Sequence, residues 1–560
     1  MMPPLLPRRL LEISLALAIL LAANGGVGAQ LPVYYPDDPI ARDPETQDAS
    51  KVAAWAISDP YDFIENTFFK PGDRGPRRAM NVNTIDEVPD SSWFTNRAGF
   101  RPLTADEVHR SGDTTDGPAP GRWTIVSGKT DGVTPGFTIR DTAGATWFIK
   151  FDPPSNPEMS TGAEMVATKL FWALGYHVPE NHLAVMVRDN LERDPKATIR
   201  DLRGRHRALT EDDVDGLLMQ AARNDDGTYR VIASRALPGT PVGPFRYFST
   251  RPDDPNDIYP HEHHRELRGL RVFAAWLNHD DSRSINSLDT ILDRDGRRIV
   301  WHHLIDFGST LGSGSIYAQK PRAGNEYLWE ARPTIVTALT LGLWVRPWIK
   351  VKYPDIKSVG NFEATFFQPE AWKPEYPNAA FDQVQPDDLF WAARRVMAIP
   401  DELIRAAVDA AQYSDARASS YVQSVLVARR DKVGLAWLTH VNPLADFVLA
   451  RDGTLTFNNA AVEAKRAAPA ETYSVQWARF DNNTGEATPV GTAETTKTLS
   501  ARLPPAAAGA PFVEARVSAH TSAYAAWAEP VVVRFRKEAG GWSLVGLRRG
   551  PEPAPPGVTK

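Results

Sequence analysis

The stretch LNHDDSRSINSLD, residues 277–289, decides how this chain is read. It places three aspartates, two asparagines, a histidine and an arginine in thirteen positions. An apolar run, GLRVFAAWL, leads straight into it. Polar groups in this number at the end of a buried element fit a capped turn, a metal site or a catalytic loop. The downstream sequence narrows the choice. LDTILDRDGRRIVWHHLIDFG, residues 288–308, predicts a β-hairpin with Asp295 and Gly296 at its tip. Pairing symmetric about that tip puts residue 286 beside 305 or 306, so Asn286 and Asp306 meet at the open end of the hairpin. An amide oxygen and a carboxylate held together suit Mg²⁺, which takes a few hard oxygen ligands and completes its shell with substrate phosphates and water. Asp281 lies five residues before Asn286, in the loop entering the same edge.

Upstream, RWTIVSG and GFTIRD predict two short strands separated by KTDGVTP, and DTAGA turns the chain into a third, TWFIKFD. TGAEMVATKLFWALGY follows with helical spacing, Val166, Leu170, Ala173 and Leu174 on one face and Gly175 as the stop. Lys150 sits on the third strand flanked by Phe148, Ile149 and Phe151. A lysine there is costly to bury without a carboxylate partner. Glu164 is the first candidate partner and Glu158 the second.

DSRSIN, running from Asp281 to Asn286, and DFG, beginning at Asp306, resemble the Asp-x-x-x-x-Asn catalytic loop and the metal-binding loop of the protein-kinase-like superfamily. GAEMVATKLFWALGYHVPE is similar to the helix-plus-VPE arrangement of its atypical branches, the HipA-type and CotH-type kinases, beside the type II phosphatidylinositol 4-kinases and the secretory-pathway casein kinases. The resemblance covers about residues 120–435. It implies an α+β, bilobal fold with a β-rich N-lobe and a helical C-lobe, using ATP and Mg²⁺. It also implies roles. Asp281 would orient or deprotonate the acceptor, Arg283 would stand where a phosphate-contacting lysine is usual, and Asn286 and Asp306 would hold metal. Lys150 would hold the α/β-phosphates, Glu164 would pair with it, and Gly128, Gly132 and Gly136 would shape the phosphate loop. Two departures stand out: the glycine loop is not G-x-G-x-x-G, and no His-Arg precedes Asp281.

Composition bounds the rest. The chain has 560 residues, 42% hydrophobic and 24% charged, enough for two or three domains. The first 29 residues read as a secretory signal: Arg8 and Arg9 precede the apolar run LLEISLALAILLAA, and cleavage is expected after Ala29. The alternative is an uncleaved anchor, although the run is short for a membrane span. No other segment is long and apolar enough to be one, so the mature chain is expected to have none. Export to the periplasm or beyond follows. The absence of cysteine excludes thiol catalysis, cysteine-ligated zinc and iron–sulfur clusters. The net charge of −6 becomes −7 without Arg8, Arg9 and Glu12, and with no basic stripe it argues against nucleic acid as a partner.

Residues 30–120 read as a loop-rich extension wrapping the next domain, with Trp93 and Phe94 as packing anchors. The kinase-like domain runs over 121–435, its N-lobe to about 240 and its C-lobe from about 241. Residues 440–549 read as a β-rich, sandwich-like domain and 550–560 as a disordered tail. Competing motifs fail. SGKT at 127–130 lacks the Walker glycine, since Trp123 stands there, and HEHHRE at 261–266 lacks the second zincin histidine, since Arg265 stands there. HEHHRE is expected on a solvated helix face, and the tryptophans after residue 340 in the core, with a carbohydrate- or peptide-binding surface as the alternative for a few of them. The expected function is an exported atypical phosphotransferase acting on an unidentified acceptor. An inactive pseudokinase or envelope binding protein is the alternative, and nucleotidyl transfer is a third option.

Overall fold

The computed structural model describes residues 31–129, 134–201 and 204–550. The expected signal segment, Gly132 and nearly all of the expected tail lie outside them. The described chain mixes helices with four sheets.

The three predicted strands form: β1 (Trp123–Lys129), β2 (Gly136–Arg140) and β3 (Thr146–Phe151) run as an antiparallel meander. Asp141 shapes the β2–β3 turn, its Oδ1 accepting from the N–H groups of Ala143 and Ala145 and its Oδ2 from the Trp147 indole. Four more strands join: β4 (Asn181–Met186), β5 (Leu191–Arg200), β6 (His206–Ala208) and β7 (Tyr229–Arg235). The sheet order is β4-β7-β3-β2-β1-β5-β6, with β5 parallel to β1. One face buries Ile125, Phe137, Ile139, Trp147, Ile149 and Phe151. Burial of such a side chain stabilises by about 1.5–3 kcal/mol, before the entropy of ordering it is counted.

Helix Met159–Leu174 packs between this sheet and the helical region and is buried almost throughout. Gly175 ends it at φ +125°. Phe94 lies against that glycine and packs at a tilt 5.6 Å from Trp391, while Trp93 stacks on His302 at 3.5 Å, so both act as anchors. The expected hairpin is β9 (Ser287–Arg294) and β10 (Arg297–Leu304), turning through Asp295 and Gly296, both at positive φ. β8 (Thr240–Gly243) lines the outer edge of β9.

Helices Pro386–Met397, Asp401–Asp409 and Ala416–Leu438 form where expected. Helix Arg265–Leu277 packs among them, and its Trp276 indole donates to the Leu426 carbonyl at 2.9 Å. The solvated face expected for HEHHRE is not found. Arg265 and Arg268 are fully buried. Arg265 pairs with Asp86, Asp387 and Asp388 at 2.7–2.9 Å, Arg268 pairs with Asp388, His261 with Asp257, and His264 with Glu266. Four of these carboxylates lie on other elements, so the local sequence shows only the charge and not what neutralises it. Among the described residues no group of three or more His, Cys, Asp or Glu could hold a metal ion.

The C-terminal strands are β11 (Leu444–Leu449), β12 (Thr454–Asn459), β13 (Thr472–Phe480), β14 (Ala487–Thr496), β15 (Ser500–Arg502), β16 (Phe512–His520), β17 (Val531–Glu538) and β18 (Gly541–Arg548). They form a three-stranded sheet, β11-β12-β15, and a five-stranded one, β14-β13-β16-β17-β18. Their apolar interior is continuous with that of the helical region through Trp437, Leu438, Leu444 and Phe447. The extension before β1 touches several parts of the molecule. Tyr34 packs on Phe480 and Phe512, and the Ala49 N–H donates to the Arg298 carbonyl. The short helix Asp59–Ile64 reaches the loop at 281–284.

Candidate active site

The hairpin register delivers the expected juxtaposition. Ser287 pairs with Leu304, and the Ile305 N–H donates to the Asn286 carbonyl at 3.0 Å. Asn286 and Asp306 therefore leave the same end of β9 and β10. Asp306 sits in the left-handed region, at φ +60°. This conformation is uncommon away from glycine and is enriched at functional turns.

Lys150 reaches across the cleft to this end. Its Nζ donates to both oxygens of Glu164 at 2.9 and 3.0 Å and to Asp306 Oδ1 at 2.8 Å. Glu158 is not its partner; that side chain accepts from the Ser414 N–H and lies near Arg230. Burial alone would depress the Lys150 ammonium, but Asp306 and Glu164 outweigh it and hold it charged well past its ordinary range. Burial raises Glu164. Asp306 is held below the ordinary carboxylate range, because Lys150 and then Lys129 override its desolvation. One cation thus ties strand β3, helix Met159–Leu174 and the segment after β10 into a single unit.

A cavity of about 380 Å³ opens over this triad. Lys129, Lys150, Arg200 and Arg235 line it, with Glu164 and Asp306 as the carboxylates. Phe137, Phe148, Ile199, Leu237, Leu288 and Ile305 supply an apolar wall. A slot with an apolar wall and an excess of cations suits a flat, hydrophobic group joined to a polyanion. Of the wall and its cations, sequence reasoning found only Lys150. Leu288 and Ile305 could have been found, since each directly flanks the hairpin end. Arg200, Arg235 and Leu237 depend on β5 and β7, whose places in the sheet are set by non-local pairing.

Two of the three expected glycines, Gly128 and Gly136, are among the described residues. Gly128 lies on β1 and lines the cavity, and a Cβ there would press on the Ile199 side chain at 2.9 Å. Gly136 pairs with Lys150 across β2 and β3, and a Cβ there would meet the Ile149 carbonyl oxygen at 2.1 Å. Its lack of a side chain lets the two strands close up directly beside the lysine.

The residues of the 281–286 loop lie beside the cavity rather than in its wall. The Asn286 amide donates to the Asp281 main-chain oxygen at 2.7 Å, leaving its own side-chain oxygen as the group for a cation. Burial pushes the Asp281 carboxyl up to about 6, against the opposing pull of Arg283. Arg283 pairs with Asp281, with Glu375 at 3.4 Å and with Asp59 of the N-terminal extension at 3.0 Å. It is thus committed to carboxylates. Buried Asp62, on the same short helix as Asp59, accepts from Ser284 Oγ at 3.1 Å and from the Tyr376 hydroxyl at 2.6 Å. Sequence reasoning did not find Asp59, Asp62 or Glu375; their contacts span 92 to 314 residues, beyond any local pattern. Neighbouring Asp280 has a different role: it is buried, is raised far above its ordinary range by burial and the Asp281 charge, and accepts from the Gln319 amide. Asn278 caps helix Arg265–Leu277 at φ +52° and is held by Gln319 and Trp372, so it shapes the loop.

No family model and no curated protein sequence matches the chain. Among solved structures it is similar to the proinflammatory kinase CtkA of Helicobacter pylori, at 13% identity over 56% of this chain and 95% of that one, with a TM-score of 0.31. It is also similar to the Golgi casein kinase with Mn and ADP bound, at 9% identity over 75% of this chain and 88% of that one, TM-score 0.29. A second structure of the Golgi casein kinase matches at 10% identity over 71% and 94%, TM-score 0.29. At these scores the likeness carries no argument about chemistry, which has to come from the site.

Proposed function

We propose that this chain is an exported, atypical kinase-like phosphotransferase that uses ATP and Mg²⁺. The observation that carries the reading is Lys150, bridging Glu164 and Asp306 beneath a cationic cavity at the end of a hairpin that also presents Asn286. The bilobal arrangement, the sandwich-like character of the C-terminal strands and the export of the chain belong to the same proposal.

Positioning and charge neutralisation are the main resources for moving a phosphoryl group. Lys150, fixed by Glu164, holds its ammonium where phosphate oxygens would enter, and Lys129 adds a second positive charge on the same wall. The donor set fits Mg²⁺: one amide oxygen and one carboxylate, too few for an all-protein cage, which matches an ion completed by phosphates and water. When bound by Asn286 and Asp306, that ion would neutralise charge on the transferring group. Asp281, ionised near neutral pH and raised enough to accept a proton, orients the acceptor hydroxyl and takes its proton. Arg283 fixes the Asp281 carboxylate and does not contact phosphate, a departure from the role the kinase resemblance implies for that position.

The test is phosphate transfer from radiolabelled ATP by residues 30–560, beside Asp281→Ala and Asp306→Ala. Transfer by the parent chain, lost in both variants, is the expected outcome. Nucleotide binding without transfer would favour a pseudokinase. One observation favours that second reading: Asp59 and Asp62 bring the N-terminal extension onto the catalytic loop.

A further inference from the structure

The segment after Tyr327 departs from the packing expected for it. Trp372 is buried, as expected, but Trp344 is 36% exposed. Helix Ala331–Leu339 buries no residue. Leu339, Leu341 and Leu343 are 80%, 90% and 83% exposed, and Ile335, Val345 and Ile349 are also exposed. Phe68 packs on Trp329 at 5.0 Å, and its chain neighbour Phe69 is exposed as well. Contiguous exposed apolar surface on this scale marks a contact site.

Two independent features say what the contact is. From Ala331 to Pro354 the chain has four cations, Arg332, Arg346, Lys350 and Lys352, and no acidic residue. Arg346 is paired with Glu326 and lies over Trp344, while Arg332, Lys350 and Lys352 are exposed. The threonines hide their hydroxyls: Thr334, Thr337 and Thr340 each donate to the carbonyl four residues back, at 2.7, 2.8 and 2.8 Å. A helix that returns its hydroxyl protons to its own backbone loses little on leaving water. Apolar residues rimmed by lysine, arginine and tryptophan, with the one carboxylate of the face, Glu330, neutralised by Lys373, match the headgroup region of an anionic bilayer. No helix of the described residues is long and apolar enough to cross a membrane, so the contact is a surface one.

We propose that the face formed by residues 328–352, with Phe68 and Phe69, seats this protein on an anionic lipid surface. The inference does not depend on the phosphotransfer reading. The face does lie beside the candidate site. The Leu328 N–H donates to the Glu375 carbonyl, and the Glu375 N–H donates to the Asp280 carbonyl. Seating would therefore hold the acceptor side of the site near the bilayer.

The test is sedimentation of residues 30–560 with phosphatidylcholine vesicles and with vesicles containing about one-third phosphatidylglycerol. The expected result is partitioning at least about tenfold stronger on the anionic vesicles and weakened by salt. The combined variant Leu339→Asp, Leu341→Asp, Leu343→Asp should lose binding by at least about tenfold, because exposed leucines are replaced without disturbing the core. A second variant, Arg332→Ala, Lys350→Ala, Lys352→Ala, should lose the preference for anionic lipid while keeping its circular dichroism and melting temperature. Failure of the folded parent to sediment with either vesicle would overturn the proposal, as would unchanged binding by the leucine variant. Self-association that the leucine variant abolishes, without vesicle binding, would assign the face to a second copy of the chain and overturn it equally.

Discussion

Replacing Asp281 with Asn separates chemistry from binding. The substitution keeps the shape of the side chain and removes the proton acceptor. The Asn286 amide contact is made to the main-chain oxygen of residue 281 and survives the change. Arg283 keeps Asp59 at 3.0 Å and Glu375 at 3.4 Å, so no buried cation is stranded and the loop should hold. Loss of a general base costs about 10²–10⁴-fold in rate, roughly 3–5 kcal/mol of barrier. Nucleotide affinity should change by less than about twofold, since Asp281 lines no part of the cavity. The parent chain adds a pH signature. The Asp281 carboxyl is raised to about 6, so its proton leaves late and the active, ionised form dominates only above that value. Transfer should therefore fall as pH drops through about 6, losing roughly tenfold per unit below it. The assay is phosphate transfer and nucleotide affinity, measured for both proteins over a range from about pH 5 to pH 8. Refutation would be an Asp281→Asn protein that keeps the parent rate, or one whose residual activity shows the same acid limb.

Two further substitutions probe the supports. Asp62→Ala removes the acceptor shared by Ser284, Tyr376 and Asn66, which should cost about 1–3 kcal/mol for groups left unsatisfied. Limited proteolysis around residues 59–70 should become faster while circular dichroism stays unchanged, and unchanged protection would mean the extension is held elsewhere. Arg265→Ala leaves Asp86, Asp387 and Asp388 without their shared cation, and truncating one member of such a buried network costs about 3–5 kcal/mol. The denaturation midpoint should fall accordingly, and a shift under about 1 kcal/mol would show that water or His264 replaces it.

Local chemistry made much of the site legible. The hairpin followed from Asp295 and Gly296, and its symmetry placed Asn286 beside Ile305 before any tertiary contact was known. Lys150 declared its need for a carboxylate because it stands between buried Ile149 and Phe151, and helical spacing with a glycine stop placed Glu164 on the next element. The hidden parts are those built by pairing across the chain. β7 inserts between β3 and β4, which brings Arg235 and Leu237 to the cavity, and nothing in the run YRVIASR specifies that neighbour. HEHHRE looked solvated because its charges were visible and most of their partners, 120 residues or more downstream in the case of Asp387 and Asp388, were not. Trp344 looked like core because tryptophan usually is; it lies instead just beyond helix Ala331–Leu339, which buries no residue.

The most direct measurement is Mg²⁺-dependent ATP binding by residues 30–560, titrated calorimetrically beside Lys150→Met and Asp306→Ala. The account predicts saturable binding that requires Mg²⁺ and is weakened at least about tenfold in each variant, because the first loses the phosphate cation and the second loses a metal ligand. A folded parent chain that binds no nucleotide, or binding that neither substitution changes, would contradict it.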